Sequence, residues 1–295
     1  ARLHEEGVVF IGPHSEAIRQ MGDKAVSKQI ASKAGVPVVP GTSDPVPNVE
    51  EALKVAEDIG YPVLLKAVAG GGGRGMRVCN NAEEVKKQFD AVGRESEASF
   101  GNGALLVEKF IVNPRHIEVQ ILADKKGNTF HFFERECSVQ RRHQKIIEEA
   151  PSPFIGDDEE LRQKVCDTAV QLAKAVDYDS AGTVEFIMGE DKTFYFLEMN
   201  TRIQVEHPIT EEITGMDLIV CMIQAAFEED LEIPNQEWLK RTGHAIECRI
   251  CAEDPITMLP SPGKVTGFET NFPQGTRFDH YLYRDLEITP DFDPM

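Results

Sequence analysis

The sequence has too little positive charge to bind nucleic acid or an anionic membrane over a broad surface. Its 295 residues include 31 Lys and Arg against 50 Asp and Glu, a formal net charge of −19. Both partners are normally bound through a basic surface, so we expect neither nucleic acid nor membrane as a partner. An anion that binds this protein must therefore meet a local group of cations.

Long apolar runs are absent, and cysteine is sparse. No stretch is apolar and long enough to span a bilayer, and Ala1 to Glu6 does not start a signal peptide. The 6 cysteines do not form the pattern of a disulfide framework. Cys248 and Cys251 form a C-x-x-C without a second pair, so we interpret them as structural. These features predict a cytoplasmic protein, with the mitochondrial matrix or a plastid left open.

The P-loop motif of many nucleotide-binding proteins is missing too, because G-x-x-x-x-G-K-[ST] occurs nowhere. The run Gly70 to Gly75 matches G-x-G-x-x-G, but that motif must open a helix, and Met76 to Cys79 has a strand pattern. Since Pro62 to Val68 also has a strand pattern, the run predicts a mobile glycine hairpin. Its backbone N–H groups and Arg74 can close over phosphates. A plain flexible loop is the alternative.

The chain alternates predicted helices and strands and has neither internal repeats nor low-complexity tracts. The first long helix starts after Asp23 as N-cap and stops at Gly35. The predicted helices are Asp23–Ala34, Glu50–Ile59, Ala82–Ser99, Asp157–Val176 and Asp217–Phe227. The other predicted strands are Val8–Ile11, Ala104–Phe110, His116–Ala123, Thr129–Val139, Gly182–Met188, Thr193–Asn200, Gly243–Glu253 and Gly263–Glu269.

The densest basic patch in this acidic chain is Gln140-Arg141-Arg142-His143-Gln144-Lys145. It follows a predicted strand, and its concentration of cationic side chains predicts an anion site. A solvated turn between two strands is the alternative.

A second unusual stretch runs from Phe194 to His207, where an apolar strand is followed by polar residues at every second position. Successive side chains of an extended backbone point to opposite faces, so these residues share one face. A solvated strand edge is the alternative. The residues are Glu198, Asn200, Arg202, Gln204 and Glu206.

Two carboxylates of this region predict a metal site. If Gly182–Met188 and Thr193–Asn200 form a hairpin with a loop of about four residues, Glu185 lies directly opposite Glu198. Opposed like charges destabilise a sheet unless a cation neutralises them, and Mg²⁺ binds carboxylate oxygens together with substrate phosphates. Asn200 adds a further oxygen on the same face. With the glycine hairpin and Lys66, these residues describe an ATP site without a P-loop.

Five motifs, in this order and spacing, resemble biotin carboxylase, the ATP-grasp component of biotin-dependent carboxylases such as acetyl-CoA, propionyl-CoA, methylcrotonyl-CoA and pyruvate carboxylases. The resemblance implies an α+β fold: an ATP-grasp fold, with two α+β subdomains sandwiching ATP, and the start of a C-terminal domain. Residues 1–22 would be the end of an N-terminal biotin carboxylase domain. Residues 23–229 would form the ATP-grasp domain, with a mobile glycine-rich lid at about 38–111. Residues 230–295 would be an incomplete C-terminal domain. The motifs are Met21 to Lys24, Lys66 with Gly70 to Met76, Glu134 to Lys145, Glu198 to His207 and Glu247 to Asp254.

The resemblance implies ATP- and bicarbonate-dependent carboxylation of biotin through carboxyphosphate. Glu206 would take the proton of bicarbonate, and Arg249 would stabilise the oxygen of deprotonated biotin. Bicarbonate would bind to Lys145, Arg202, Gln204 and the Val205 backbone, and Mg²⁺ or Mn²⁺ to Glu185 and Glu198. The implied ATP-binding residues are Lys24, Lys66, Gly72, Gly73, Met76, Glu108, Lys109, Ile111, His116, Gln140 and His143.

The implied partners are a biotin carboxyl carrier protein or domain, a carboxyltransferase component, and a second copy of the full-length chain. The family has further segments before Val8 and after Met295, so we expect weaker activity from the 295 residues alone. One alternative is another ATP-grasp ligase, such as a carbamoyl phosphate synthase-type enzyme. The other is a non-catalytic module that keeps the fold as a scaffold.

Overall fold

The structure is a computed structural model that describes residues 1–68, 75–142, 144–269 and 271–289. The chain divides into two units, Ala1–Glu247 and Cys248–Met295. No helix in the described ranges is long and apolar enough to cross a membrane.

Most helices and strands belong to the first unit. The helices are α1 Arg2–Glu5, α2 Ser15–Gly22, α3 Lys24–Lys33, α4 Val49–Ile59, α5 Ala82–Phe100, α6 Glu159–Ala175, α7 His207–Thr214 and α8 Leu218–Ala226, with a 3₁₀ turn at Gln236–Trp238. The strands are β1 Val63–Ala67, β2 Met76–Cys79, β3 Leu105–Lys109, β4 Arg115–Ala123, β5 Thr129–Arg141, β6 Gln144–Ala150, β7 Ser180–Met188, β8 Phe194–Asn200, β9 Ala245–Cys248, β10 Gly263–Lys264 and β11 Glu287–Ile288.

A small antiparallel sheet, in the order β2-β1-β3, confirms the predicted hairpin between β1 and β2. Val63, Leu65 and Ala67 alternate into the core beneath α4 and α5. Lys66 therefore points to the opposite face of the sheet. Glu108 of β3 lies on that same face, because it pairs with Leu64 in the neighbouring strand.

The large sheet has the order β8-β7-β4-β5-β6-β9. Ile117, Val119 and Ile121 of β4 are fully buried in the core that α2, α3 and α6 share. The alternate residues of β4 point to the other face, where α7 and α8 pack. This second face is apolar beside α8 and polar beside α7.

The β7–β8 hairpin has the register that the sequence predicts for its carboxylates, with Glu185 opposite Glu198. A β-bulge between Glu185 and Phe186 shifts the pairing by one residue nearer the turn. Since a bulge adds one residue to one strand, it sets which side chains of β8 share the face of Glu185.

The first predicted strand is wrong. Val8 to Ile11 forms neither helix nor strand, and its four side chains are 44–52% exposed. A strand needs a neighbour to pair its backbone N–H and C=O groups, and no strand of the described ranges pairs with this segment. The predicted strands 243–253 and 263–269 are shorter than expected, at Ala245–Cys248 and Gly263–Lys264. The predicted helix after Asp23 is confirmed, because the Asp23 carboxylate accepts from the N–H groups of Ala25 and Val26.

Position 182 of β7 requires glycine, because Tyr178 occupies the space that a side chain would need. A Cβ atom at this position would lie 2.5 Å from the Tyr178 hydroxyl oxygen, whose hydroxyl group donates to the Ala181 carbonyl. We expect Gly182→Ala to lower the free energy of unfolding by about 1–3 kcal/mol through overpacking. Urea unfolding measures this change, with Gly22→Ala as control because its Cβ would meet no atom within 4 Å. Equal losses in the two variants would contradict the steric account.

The burial of His131 predicts that the free energy of unfolding depends on pH. Burial lowers the pKa of this 2%-exposed histidine to about 4, below its unfolded value near 6.5. The folded state then binds fewer protons, so stability is present above about pH 6.5 and is lost as pH falls towards 4. We expect the wild type to lose about 2 kcal/mol more than His131→Phe between pH 7.5 and pH 5. Urea unfolding at both pH values tests this, and equal losses would contradict it.

Candidate active site

The polar face of the large sheet is built by alternation in β4. His116, Glu118 and Gln120 point to the side opposite the core residues Ile117 and Val119. Glu118 is flanked in the sheet by Arg135 of β5 and Glu185 of β7. Each of these three central residues is at most 4% exposed. Buried charges need partners of opposite sign, and the neighbouring strands supply them.

Lys145 of β6 is the centre of the site. Its ammonium nitrogen lies 2.5 Å from Glu118 Oε2, 2.9 Å from Glu185 Oε1 and 2.6 Å from Glu206 Oε1. Burial disfavours the charged form, but Glu118 and Glu185 outweigh it and raise the pKa of Lys145. The lysine therefore carries a positive charge and joins three carboxylates from three parts of the chain.

Arg135 neutralises the other side of Glu118. Its Nε donates to Glu118 Oε1 at 2.7 Å, and the guanidinium is fully buried. Burial raises the pKa of a carboxyl group, but Arg135 and Lys145 together hold the pKa of Glu118 well below its usual value. The two oxygens of one carboxylate thus link Arg135 to Lys145.

His116 is the third cation of the group. Its Nε2 lies 3.0 Å from Glu185 Oε2 and 3.5 Å from Glu118 Oε2, an ion-pair contact without the alignment of a hydrogen bond. Burial lowers the pKa of the imidazole, but the carboxylates of Glu118 and Glu185 outweigh it and raise the pKa to about 9. Three cations, Lys145, Arg135 and His116, therefore face the three carboxylates Glu118, Glu185 and Glu206.

Glu198 is a carboxylate beyond this balanced group. It lies opposite Glu185 in the sheet, and among the described residues it has no hydrogen bond or ion pair. Asn200 Nδ2 donates to Glu185 Oε1 at 2.9 Å, which leaves the Asn200 amide oxygen as an acceptor. Opposed carboxylates with an amide oxygen are the hard oxygen donors that Mg²⁺ prefers. These residues therefore fit a divalent cation.

The predicted ATP-binding residues that the structure describes lie at the small sheet, at the start of α3 and on β4 and β5 of the large sheet. Lys66 and Lys28 bind the two oxygens of Glu108, with Nζ–O distances of 3.4 and 2.9 Å. The Lys109 ammonium instead donates to the carbonyls of Gly60 and Tyr61. Lys24 is the first residue of α3, and Met76 of β2 pairs with Lys66 in the small sheet. Ile111 lies near Gly189. Gln140 Nε2 lies 3.3 Å from His116 Nδ1. Gly72, Gly73 and His143 are outside the described residues.

The structure brings together two of the predicted bicarbonate-binding residues, Lys145 and Gln204, with the predicted base Glu206. Lys145 contacts Glu206 directly, and Gln204 Nε2 donates to Glu185 Oε1 at 3.0 Å, beside Lys145. Arg202 is exposed and donates to the Ile203 carbonyl, and Val205 is 59% exposed. Arg249 belongs to the second unit.

Local sequence patterns did not indicate Glu118, Arg135 or Lys28 as individual site residues. The alternation of His116, Glu118 and Gln120 with apolar residues could have indicated a polar face on β4. Only the pairing of β4 with β5 reveals that Arg135 lies beside it, and that pairing is a long-range feature.

Comparisons with known proteins identify the family of the chain. A family described as "Carbamoyl-phosphate synthase L chain, ATP binding domain" matches residues 23–234, and the "Biotin carboxylase C-terminal domain" family matches residues 247–295. "Biotin carboxylase 2" of Bacillus subtilis is 51% identical over 294 residues, which cover 100% of this chain and 66% of the relative. The chain thus spans about two thirds of the length of that relative.

Solved structures give the same result. A biotin carboxylase domain of thermophilic 2-oxoglutarate carboxylase bound to bicarbonate has a TM-score of 0.93 at 46% identity, covering 99% of this chain and 64% of that one. The biotin carboxylase domain dimer of Hydrogenobacter thermophilus 2-oxoglutarate carboxylase, with MgADP, ADP and bicarbonate, has a TM-score of 0.84 at 48% identity and the same coverage. The chain therefore belongs to the biotin carboxylase family and has its ATP-grasp fold, followed by a biotin carboxylase C-terminal domain segment.

Proposed function

We propose that this chain carries out the ATP- and bicarbonate-dependent carboxylation of biotin on a carrier. The contact of Lys145 with Glu185 and Glu206 is the observation that carries the proposal. Lys145 Nζ, which we assign to the anionic substrate, lies within hydrogen-bond distance of Glu206, the base that we propose, and of Glu185, which we assign to the metal. A reaction between bicarbonate and a Mg²⁺-bound phosphate needs these three groups at one place.

In the first step, bicarbonate binds between Lys145, Arg202, Gln204 and the backbone N–H of Val205. Glu206 takes its proton, because a positioned carboxylate makes this weak nucleophile more reactive near neutral pH. A bicarbonate oxygen then attacks the γ-phosphorus of ATP, the bond to the β-phosphate oxygen breaks, and ADP leaves. The product is carboxyphosphate.

In the second step, the C–O bond of carboxyphosphate breaks and yields CO₂ and phosphate. The phosphate released in this cleavage takes the proton of the biotin ring nitrogen, and the nitrogen attacks CO₂, which forms the N–C bond of carboxybiotin. Deprotonation puts negative charge on the ureido oxygen of biotin. Arg249 stabilises this charge, since a guanidinium presents fixed donors to an oxyanion.

The nucleotide binds through the residues around the small sheet. Lys24, Lys66 and the glycine hairpin with Gly72 and Gly73 hold the phosphates. Mg²⁺ or Mn²⁺ held by Glu185, Glu198 and Asn200 would offset phosphate charge. The remaining nucleotide contacts come from Met76, Glu108, Lys109, Ile111, His116, Gln140 and His143.

The partners that we propose are a biotinylated carrier, a carboxyltransferase and a second copy of the chain. Relatives of this chain include subunits named for methylcrotonoyl-CoA carboxylase and pyruvate carboxylase, so we assign the choice of final acceptor to the transferase. We propose the cytoplasm as its location, although relatives are also named mitochondrial and chloroplastic.

The domains that we propose are the end of an N-terminal domain at 1–22, the ATP-grasp domain at 23–229 and an incomplete C-terminal domain at 230–295.

The proposed reaction predicts that ADP release depends on bicarbonate and is stimulated by free biotin. A coupled ADP assay measures this in the 295-residue chain and in a chain extended to the length of its relatives, which we expect to be faster. Carbamate formation from ammonia without any effect of biotin would contradict the proposal in favour of a carbamoyl phosphate synthase-type reaction. Failure of both chains to bind MgATP in calorimetry would instead indicate a non-catalytic scaffold.

We expect Glu206→Gln to lower bicarbonate-dependent turnover at least about 100-fold, the usual contribution of a general base. The MgATP dissociation constant should change less than about twofold, because Glu206 pairs with Lys145 of the large sheet and we assign the ATP phosphates to Lys24, Lys66 and the glycine hairpin. Glu212→Gln, which replaces an exposed carboxylate of α7, the helix that begins after Glu206, is the matched control. A large loss of ATP affinity in Glu206→Gln would contradict its assignment as the base.

We expect Glu198→Gln and Glu185→Gln each to raise the Mg²⁺ concentration needed for half-maximal turnover about tenfold or more, because each removes a charged oxygen ligand. Titration of Mg²⁺ at saturating ATP measures this requirement. Glu190→Gln, in the exposed turn of the same hairpin, is the control. An unchanged titration in both active-site variants would refute the metal pair.

A further inference from the structure

Arg135 uses all of its hydrogen-bonding capacity inside the protein. Its five N–H groups make five hydrogen bonds, and no part of the side chain is exposed. Nε donates to Glu118, Nη1 to Gln120 Oε1 at 2.8 Å and Thr210 Oγ1 at 2.9 Å, and Nη2 to Thr183 Oγ1 at 3.2 Å and Gln204 Oε1 at 3.3 Å. The guanidinium thus joins β4, β7, α7 and the loop that carries Gln204.

The contact between Arg135 and Gln204 determines the orientation of the Gln204 side-chain amide, whose two neighbours are Arg135 and Glu185. A guanidinium has only donors and an ionised carboxylate only acceptors. Gln204 lies between Arg135 and Glu185 and is 6% exposed. Its carbonyl oxygen must therefore face Arg135, and its NH₂ group must face Glu185, whose Oε1 also accepts from Lys145. A rotated amide would place donor against donor and acceptor against acceptor.

This orientation has a consequence for an anionic ligand. Nε2 carries two N–H groups, and one of them donates to Glu185 Oε1 at 3.0 Å. Among the described residues the second has no acceptor, so it can donate to an anion beside Lys145. With the amide reversed, the carbonyl oxygen would meet the anion and repel it.

We propose that Arg135 is a positioning residue for bicarbonate, whose donor-only guanidinium holds the Gln204 amide with an N–H group towards the anion. The inference rests on the proposed function and extends it to a residue that does not touch substrate. Arg135 also bonds Glu118, which in turn contacts Lys145. A further bond joins Arg135 to Thr210 of α7, the helix that follows Glu206.

A double-mutant cycle on bicarbonate KM separates this role from a purely structural one. Arg135→Lys keeps the positive charge but cannot make the five bonds, and we expect it to raise bicarbonate KM about tenfold, the value of one charge-assisted hydrogen bond. In a Gln204→Met background, the same change should raise KM less than about twofold, because no amide remains to be oriented. An equal factor in both backgrounds would overturn the proposal.

A second variant keeps the proposal testable if Arg135→Lys does not fold. Thr183→Val removes the hydroxyl that holds Nη2 beside Gln204, and bicarbonate KM should rise while MgATP KM stays within about twofold. Thr168→Val removes a buried hydroxyl that bonds the Lys164 carbonyl within α6, on the other side of the sheet, and should change neither. Equal effects of the two Thr→Val changes would overturn the proposal.

A spectroscopic measurement separates failure of this inference from failure of the proposed function. In ¹⁵N-labelled protein, the side-chain NH₂ signals of Gln204 are those missing from Gln204→Met. We expect two widely separated proton shifts, because one proton bonds to Glu185, and we expect Thr183→Val to bring them together. Unchanged signals would overturn the positioning role whatever the activity. Changed signals in a protein without bicarbonate-dependent ADP release would support the positioning while refuting the proposed function.

Discussion

The ion pairing of Lys145 with Glu118, Glu185 and Glu206 is the interaction on which the rest of the site depends. Three buried carboxylates repel one another, and removal of one partner from a buried ion pair typically costs about 3–5 kcal/mol. Lys145, Arg135 and His116 balance this charge within contact distance. The same balance leaves Glu198, outside the group, as the additional negative charge that a divalent cation can neutralise.

A similar ion pair connects the two sheets. Lys28 of α3 and Lys66 of β1 share the Glu108 carboxylate, so α3 beside the large sheet is tied to the small sheet. Burial raises the pKa of Glu108, but Lys66 and Lys28 outweigh it and lower the pKa. A nucleotide phosphate would compete with this carboxylate for Lys66. Lys28 can then keep the Glu108 carboxylate paired, so the replacement of this carboxylate by a phosphate at Lys66 costs less free energy.

Local patterns predicted the two hairpins that carry residues of the candidate site. Alternation and turn signals located the β1–β2 hairpin and the β7–β8 hairpin, whose register puts Glu185 opposite Glu198. They could not predict Glu118 or Arg135 as site residues, because their importance arises from the order of strands in the sheet and from α7 packing over it. The prediction of a strand at Val8 to Ile11 failed because an apolar run forms a strand only beside a partner. The roles assigned to individual residues remain predictions.

In the proposed reaction, bicarbonate itself attacks ATP at the place where Lys145, Glu206 and the carboxylates assigned to the metal meet. Turnover of ATP with ¹⁸O-labelled bicarbonate in unlabelled water, followed by mass spectrometry of the phosphate released, tests whether bicarbonate is the attacking group. Attack by a bicarbonate oxygen, followed by C–O cleavage of carboxyphosphate, transfers that oxygen to phosphate. We therefore expect one ¹⁸O atom in each phosphate formed. Unlabelled phosphate would mean that water attacks ATP and would contradict the proposed reaction.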